Sequence, residues 1–185
     1  MGKGKSKSVL KQSLEMSYQR NPNKAPSGYT QDKHLSSKRV QVYKKEGSNE
    51  AIIAHRGSQG LQDWKDNAKL MLTGNIKKSK TYKMHKKKHD AAVEKYGADN
   101  ITAVGHSRAG KYVEELNKER KLNKIITYNK AATLHDIGKT IPKNQTDIRT
   151  HTDLVSLASI SQHHKGKTKS IAPADVLGHS TKALN

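Results

Sequence analysis

At 185 residues, the chain is long enough for one ordinary domain. Lys and Arg number 36 against 16 Asp and Glu, a formal charge of +20, while hydrophobic residues make up 32% and Phe is absent. That balance excludes a large apolar core and points toward polyanionic partners. Nothing approaches the roughly 18 consecutive apolar residues of a membrane span, and no apolar stretch follows the basic residues 1–7, so no secretory signal is expected. The absence of Cys removes disulfide frameworks, thiolate zinc sites and cysteine nucleophiles.

Residues 1–38 read as a flexible basic N-terminal arm. Through residue 24, Lys3, Lys5, Lys7, Lys11, Arg20 and Lys24 face one acid, Glu15. Such an arm is expected either to be merely solvated or to lie on nucleic acid, an acidic protein or an anionic membrane. Residues 39–185 read as a compact body. Val40, Val42 and Tyr43, then Ala51-Ile52-Ile53-Ala54 after the turn residues Gly47-Ser48-Asn49, predict a hairpin. Leu61, Trp64, Ala68, Met71 and Leu72 share one face of a predicted helix that Gly74 and Asn75 stop. Residues 77–96 carry eight Lys against Asp90 and Glu94, with Tyr82, His89, Val93 and Tyr96 as a narrow helical stripe ended by Gly97. The lysines there are either a solvated face or a second anion-binding surface. Beyond it, 101–104 is strand-like, 108–120 helix-like and 124–128 strand-like, with a further strand expected near 148–152. This alternation predicts an α/β fold, with a mostly parallel sheet and flanking helices.

The segment Gly105-His106-Ser107-Arg108-Ala109-Gly110 falls where a strand gives way to a helix. A Ser on so sharp a turn projects its Oγ away from the sheet and needs small neighbours two residues away on either side. The helix behind it aims N–H groups at the site, which suits an oxyanion. The plainer reading of Ser107 is a helix N-cap.

Upstream stand His55-Arg56-Gly57-Ser58 and Trp64, and with them the sequence resembles the class 3 lipases, a family of α/β-hydrolases. Arg56-Gly57-Ser58 matches that family's turn, Trp64 its Trp, and Gly105-His106-Ser107 its nucleophile segment. Thr127-Tyr128-Asn129 is similar to its next strand end, Thr152-Asp153-Leu154-Val155 to its acid segment, and Leu177-Gly178-His179-Ser180 lies where it places its His. The resemblance implies an α/β-hydrolase fold and ester hydrolysis through Ser107, Asp153 and His179, with Ser58 and Arg108 forming the oxyanion hole and no cofactor. Asp147 and Asp175 compete for the acid, and His163 and His164 for the base. Departures from the pattern are Ala109 for a Gly, Arg108 for an apolar residue and His55 for an aromatic. With little sequence left for an apolar lid, a small or polar ester or a phospholipid is the expected substrate. Family analogy also admits a virion role, in which a degenerate hydrolase scaffold packs against capsid proteins or nucleic acid through the arm and residues 77–95.

Leu134-His135-Asp136-Ile137-Gly138-Lys139 resembles a second signature, that of the all-helical HD metal phosphohydrolases. His106, His163 and His164 would extend that ligand set. The β-type residues of 101–104 and 124–128 oppose it.

Overall fold

A computed structural model of the chain describes residues 8–19, 24–57, 76–131, 136, 138–150, 163–164 and 166–171. The described strands are β1 Tyr29–Gln31, β2 Val40–Lys45, β3 Ala51–His55, β4 Ile101–His106, β5 Lys124–Tyr128, β6 Thr140–Ile141, β7 Gln145–Thr150, β8 His163–His164 and β9 Lys167–Ile171, of which β3, β4 and β5 are short apolar runs. Seven of them make one mixed sheet in the order β1-β2-β3-β4-β5-β7-β9, and β6 and β8 pair separately. β1, β2 and β3 are antiparallel neighbours, whereas β3 through β9 are parallel. The fold is α/β.

Both faces of the central strands are covered, and the period of two along each strand shows by what. Val40, Val42, Ala51, Ile53, Ile101, Ala103 and Ile125 turn to one side. There they meet Ala92, Val93 and Tyr96 of α2 (Lys80–Tyr96) and Val113 of α3 (Arg108–Glu119). Tyr43, Ile52, Ala54, Val104, Ile126 and Tyr128 turn to the other side, where Leu14 of α1 (Val9–Ser17) is buried among them.

The helix α1 corrects the expected arm. Ser8 caps it by accepting the Lys11 N–H at 3.3 Å, and Leu14 is 1% exposed. β1 adds an edge strand in register with Tyr43, Lys44 and Lys45. Residues 8–19 and 24–38 are therefore part of the body rather than a flexible arm; residues 1–7 lie outside the described set. The predicted helix over 61–72 lies outside it as well.

The hairpin, α2, β4, α3 and β5 form where their sequence patterns place them. α2 starts at Ser79, whose Oγ accepts the Tyr82 N–H at 3.0 Å, and stops at Gly97, whose φ of 82° suits a residue without Cβ. Its buried stripe contains Tyr82, His89, Val93 and Tyr96 as expected, and also His85 and Ala92.

Candidate active site

β4 ends at His106 and α3 begins at Arg108, so Ser107 alone makes the turn between them. Its backbone sits at φ 55° and ψ −128°, a conformation that costs an L-residue about 1–3 kcal/mol. Hydrogen bonds hold it there from both sides. Its N–H donates to the Tyr128 carbonyl at 2.9 Å, and its carbonyl accepts from Gly110 at 3.0 Å and Ala131 at 3.1 Å. Ser107 makes no side-chain capping bond to α3, so the N-cap reading does not describe it.

The small residues around it are sterically required. A Cβ on Gly105 would lie 2.7 Å from the Ala109 carbonyl oxygen and 2.8 Å from the Gly110 Cα. A Cβ on Gly57 would meet the His106 carbonyl oxygen at 2.8 Å and the Ser107 Cβ at 3.3 Å. The Arg56-Gly57 turn therefore lies directly against the serine. Ala109 is fully buried, so the departure from Gly there is accommodated.

Tyr18, just past the end of α1, joins these segments. The Gly57 N–H donates to its hydroxyl at 2.9 Å, and the hydroxyl lies 2.7 Å from His106 Nδ1. Burial pushes that hydroxyl well above its ordinary pKa, against the pull of the Gly57 N–H and of Arg56 and Arg108, so it keeps its proton. With its proton kept, it can accept from Gly57 and donate to His106 Nδ1 at once. Tyr18→Phe removes only the oxygen and leaves both partners short of a bond. A loss of about 1–3 kcal/mol is expected, read as a lowered urea midpoint with unchanged slope.

Two buried guanidinium groups flank the turn. Arg56 lies over the Tyr18 ring at 5.7 Å and Arg108 over the Tyr112 ring at 5.9 Å. Both residues are 5% exposed. Together with the first turn of α3, whose leading N–H groups have no intrahelical acceptors, they make the surroundings of Ser107 electropositive.

Of the residues expected from sequence, Ser107 and Arg108 are thus adjacent at the turn. Ser58, Asp153 and His179 lie outside the described residues, as does Asp175. β7 ends at Thr150, on the chain leading toward Asp153, and Thr150 is tied to the turn after β5 by a 2.9 Å bond from its N–H to Asn129 Oδ1. Asn129 itself takes φ 44°, which Asn tolerates better than most residues. His163 and His164 are the two residues of β8, paired with Thr140 and Ile141.

Asp147 is committed elsewhere. It accepts from Thr127 Oγ1 and Gln145 Nε2, each at 2.7 Å, and pairs with Lys130 at 2.9 Å. In register it stands level with Thr127, which stands level with Gly105; Thr127 and Gly105 are each one position short of their strand ends, and Asp147 is three short of the end of β7.

No protein-family model matches the chain, and no curated protein matches it. Among solved structures, it is similar to the crystal structure of Lip2 lipase from Yarrowia lipolytica. The sequences are 17% identical, the TM-score is 0.45, and the match covers 69% of this chain and 60% of that chain.

Two buried clusters behind the turn were invisible to motif reading. On one side, Lys111 Nζ contacts Glu114 at 2.5 Å, Asp136 at 2.5 Å and Glu115 at 3.2 Å. Lys130 contacts the other oxygen of Glu114 at 2.5 Å as well as Asp147. Desolvation opposes the charge on Glu114, but Lys130 and Lys111 outweigh it and hold its carboxyl far below the usual range. Glu114, Glu115 and Asp136 are close enough together to suggest a cation site. The Lys111 ammonium is the cation that they surround. The HD reading fails here too, because Asp136 is paired with Lys111 and the described strands form a mixed sheet where that fold is helical.

On the other side, at the end of β3, His55 stacks on His85 with centroids 5.2 Å apart and tilts against His89 at 5.4 Å. It therefore fills the place of an aromatic side chain. His55 Nδ1 lies 3.0 Å from His85 Nδ1, and its Nε2 lies 3.3 Å from His89 Nδ1. A neutral imidazole has one donor and one acceptor, so the chain of three runs in one direction. The outward Nε2 atoms of His85 and His89 are both buried without a partner. One of them therefore bears an unbonded proton and the other an unbonded lone pair. His89 was legible in the helical stripe, and His85 lies one turn before it on the same face.

Proposed function

We propose that this protein hydrolyses carboxylic esters through Ser107. The observation that carries the reading is the backbone of Ser107. It sits at a strained positive φ in a strand-to-helix turn, between glycines that admit no Cβ, and plays no part in capping the helix that follows. Strain of about 1–3 kcal/mol persists where the surroundings over-determine it, most often at functional sites.

In this reading Ser107 Oγ attacks the ester carbonyl while His179 takes its proton. His179 then returns the proton to the leaving alcohol, and water repeats the sequence to release the acid. Asp153 orients the imidazole. The Arg108 N–H and Ser58 bind the oxyanion, and the field of Arg56 and Arg108 supports the developing negative charge. The same field favours esters with a polar or anionic group over neutral fats.

The test is hydrolysis of a panel of short-chain p-nitrophenyl esters and phospholipids. Ser107→Ala, Asp153→Asn and His179→Ala should each lower kcat/KM by about three orders of magnitude or more, whereas Asp175→Asn should leave it unchanged. A folded wild type inactive on every ester, or retained activity in Ser107→Ala, would refute the reading.

A further inference from the structure

The charge on α2 is not spread evenly around the helix. Lys77 is paired with Glu115 and Glu119, Lys86 with Asp90 and Glu119, and Lys95 with Asp32, while Lys88 donates to the His34 carbonyl. Lys78, Lys80, Lys83 and Lys87 are exposed, and no acid among the described residues pairs with them. Lys80, Lys83 and Lys87 follow the i, i+3, i+7 spacing of one helical stripe. That stripe points away from the buried face formed by Tyr82, His85, His89, Ala92, Val93 and Tyr96. Ser37 touches Met84 of α2, which brings the exposed Lys38 to the flank of the same stripe.

The position of the stripe matters as much as its sign. Ile76 and Tyr82 share a packed cluster with Ala109, Tyr112 and Leu116 of α3. The lysine-bearing start of α2 therefore lies beside the first turn of α3, at the end of the sheet that presents Ser107.

We infer that this lysine stripe docks the protein on an anionic lipid surface. A straight row of ammonium groups on the back of a helix meets a plane along its whole length, and each Lys near the headgroups adds to the attraction. Single-stranded nucleic acid fits it less well, since the aromatic side chains of α2, Tyr82 and Tyr96, are buried and offer no platform on which bases could stack. The inference does not require Ser107 to be reactive.

Sedimentation with sucrose-loaded vesicles tests it. The protein should bind phosphatidylcholine vesicles containing phosphatidylserine and not phosphatidylcholine alone, and binding should fade as salt rises. The variant with Lys78, Lys80, Lys83 and Lys87 all changed to Gln should lose at least about a hundred-fold in partitioning. A control that changes Lys44, Lys121, Lys124 and Lys139 to Gln, with the same loss of charge, should bind like wild type, and so should Ser107→Ala. Circular dichroism would establish that both lysine variants are folded. Equal losses in the two would assign the attraction to net charge and overturn the inference. Failure of wild type to bind the anionic vesicles would also overturn it, as would a stripe-dependent affinity for duplex DNA exceeding that for vesicles.

Discussion

Glu114→Gln should destabilise this protein by about 3–5 kcal/mol, a large share of the roughly 5–15 kcal/mol that holds a domain folded. Glu114 is the hinge of a buried network in which Lys111, Lys130 and Arg149 balance Glu114, Asp136 and Asp147. Neutralising it leaves two ammonium groups, on residues 3% and 1% exposed, each one charge short. The loss is large because the remaining ions cannot recover their hydration. Lys130→Met should cost a similar amount, and the double variant distinctly less than the sum, because each single change strands the other's partner. Urea unfolding at pH 7 reads all three. A loss below about 1 kcal/mol, no more than solvent-exposed ion pairs usually contribute, would contradict a structural role for the network.

Acid should undo the fold in a window that the histidine cluster sets. Burial, followed by the nearby Arg39, Arg108 and Arg56, lowers the pKa of His85 to about 3. Burial chiefly lowers that of His89 to about 4, and burial with the two neighbouring imidazoles lowers that of His55. In the unfolded chain all three return to about 6.5. Below that pH the unfolded state binds protons that the folded state refuses, so stability falls as the pH falls. The contribution is complete above about pH 7 and is lost progressively as the pH drops toward 4, at up to about 1.4 kcal/mol per pH unit for each histidine. Several kcal/mol should therefore disappear between pH 7 and pH 5, before the loss of carboxylates such as Glu114 begins. Melting temperatures across pH 4–8 would show it. In a folded His85→Leu/His89→Leu variant the acid limb should move to lower pH, whereas a wild-type profile flat from pH 7 to pH 5 would count against the cluster.

The parts of the fold legible in sequence are those where local chemistry alone decides. Ala51 to Ala54 and Lys124 to Tyr128 can only be strands buried on both faces, and Gly105 and Gly110 announce a crowded turn. α1 was hidden because Val9, Leu10 and Leu14 are scattered among Ser, Lys and Gln, so composition spoke louder than spacing. β9 reads Lys-Thr-Lys-Ser-Ile and pairs with β7 through its backbone, which no hydrophobic pattern reveals. Lys111, Glu114 and Lys130 read as surface residues because charge normally means exposure, and only the tertiary fold brings their charges together. Among the candidate site residues, Ser107 was legible for the same local reason as its glycines. Its partners in an active triad would come from distant segments, and spacing along the chain does not set their geometry.

The most direct test of the account is fluorophosphonate labelling of the purified, folded protein, with the modified residue located by mass spectrometry. One label per chain is expected on Ser107, none on Ser107→Ala, and no effect of a chelator. A folded wild type that stays unlabelled, or carries its label on another residue, would contradict it.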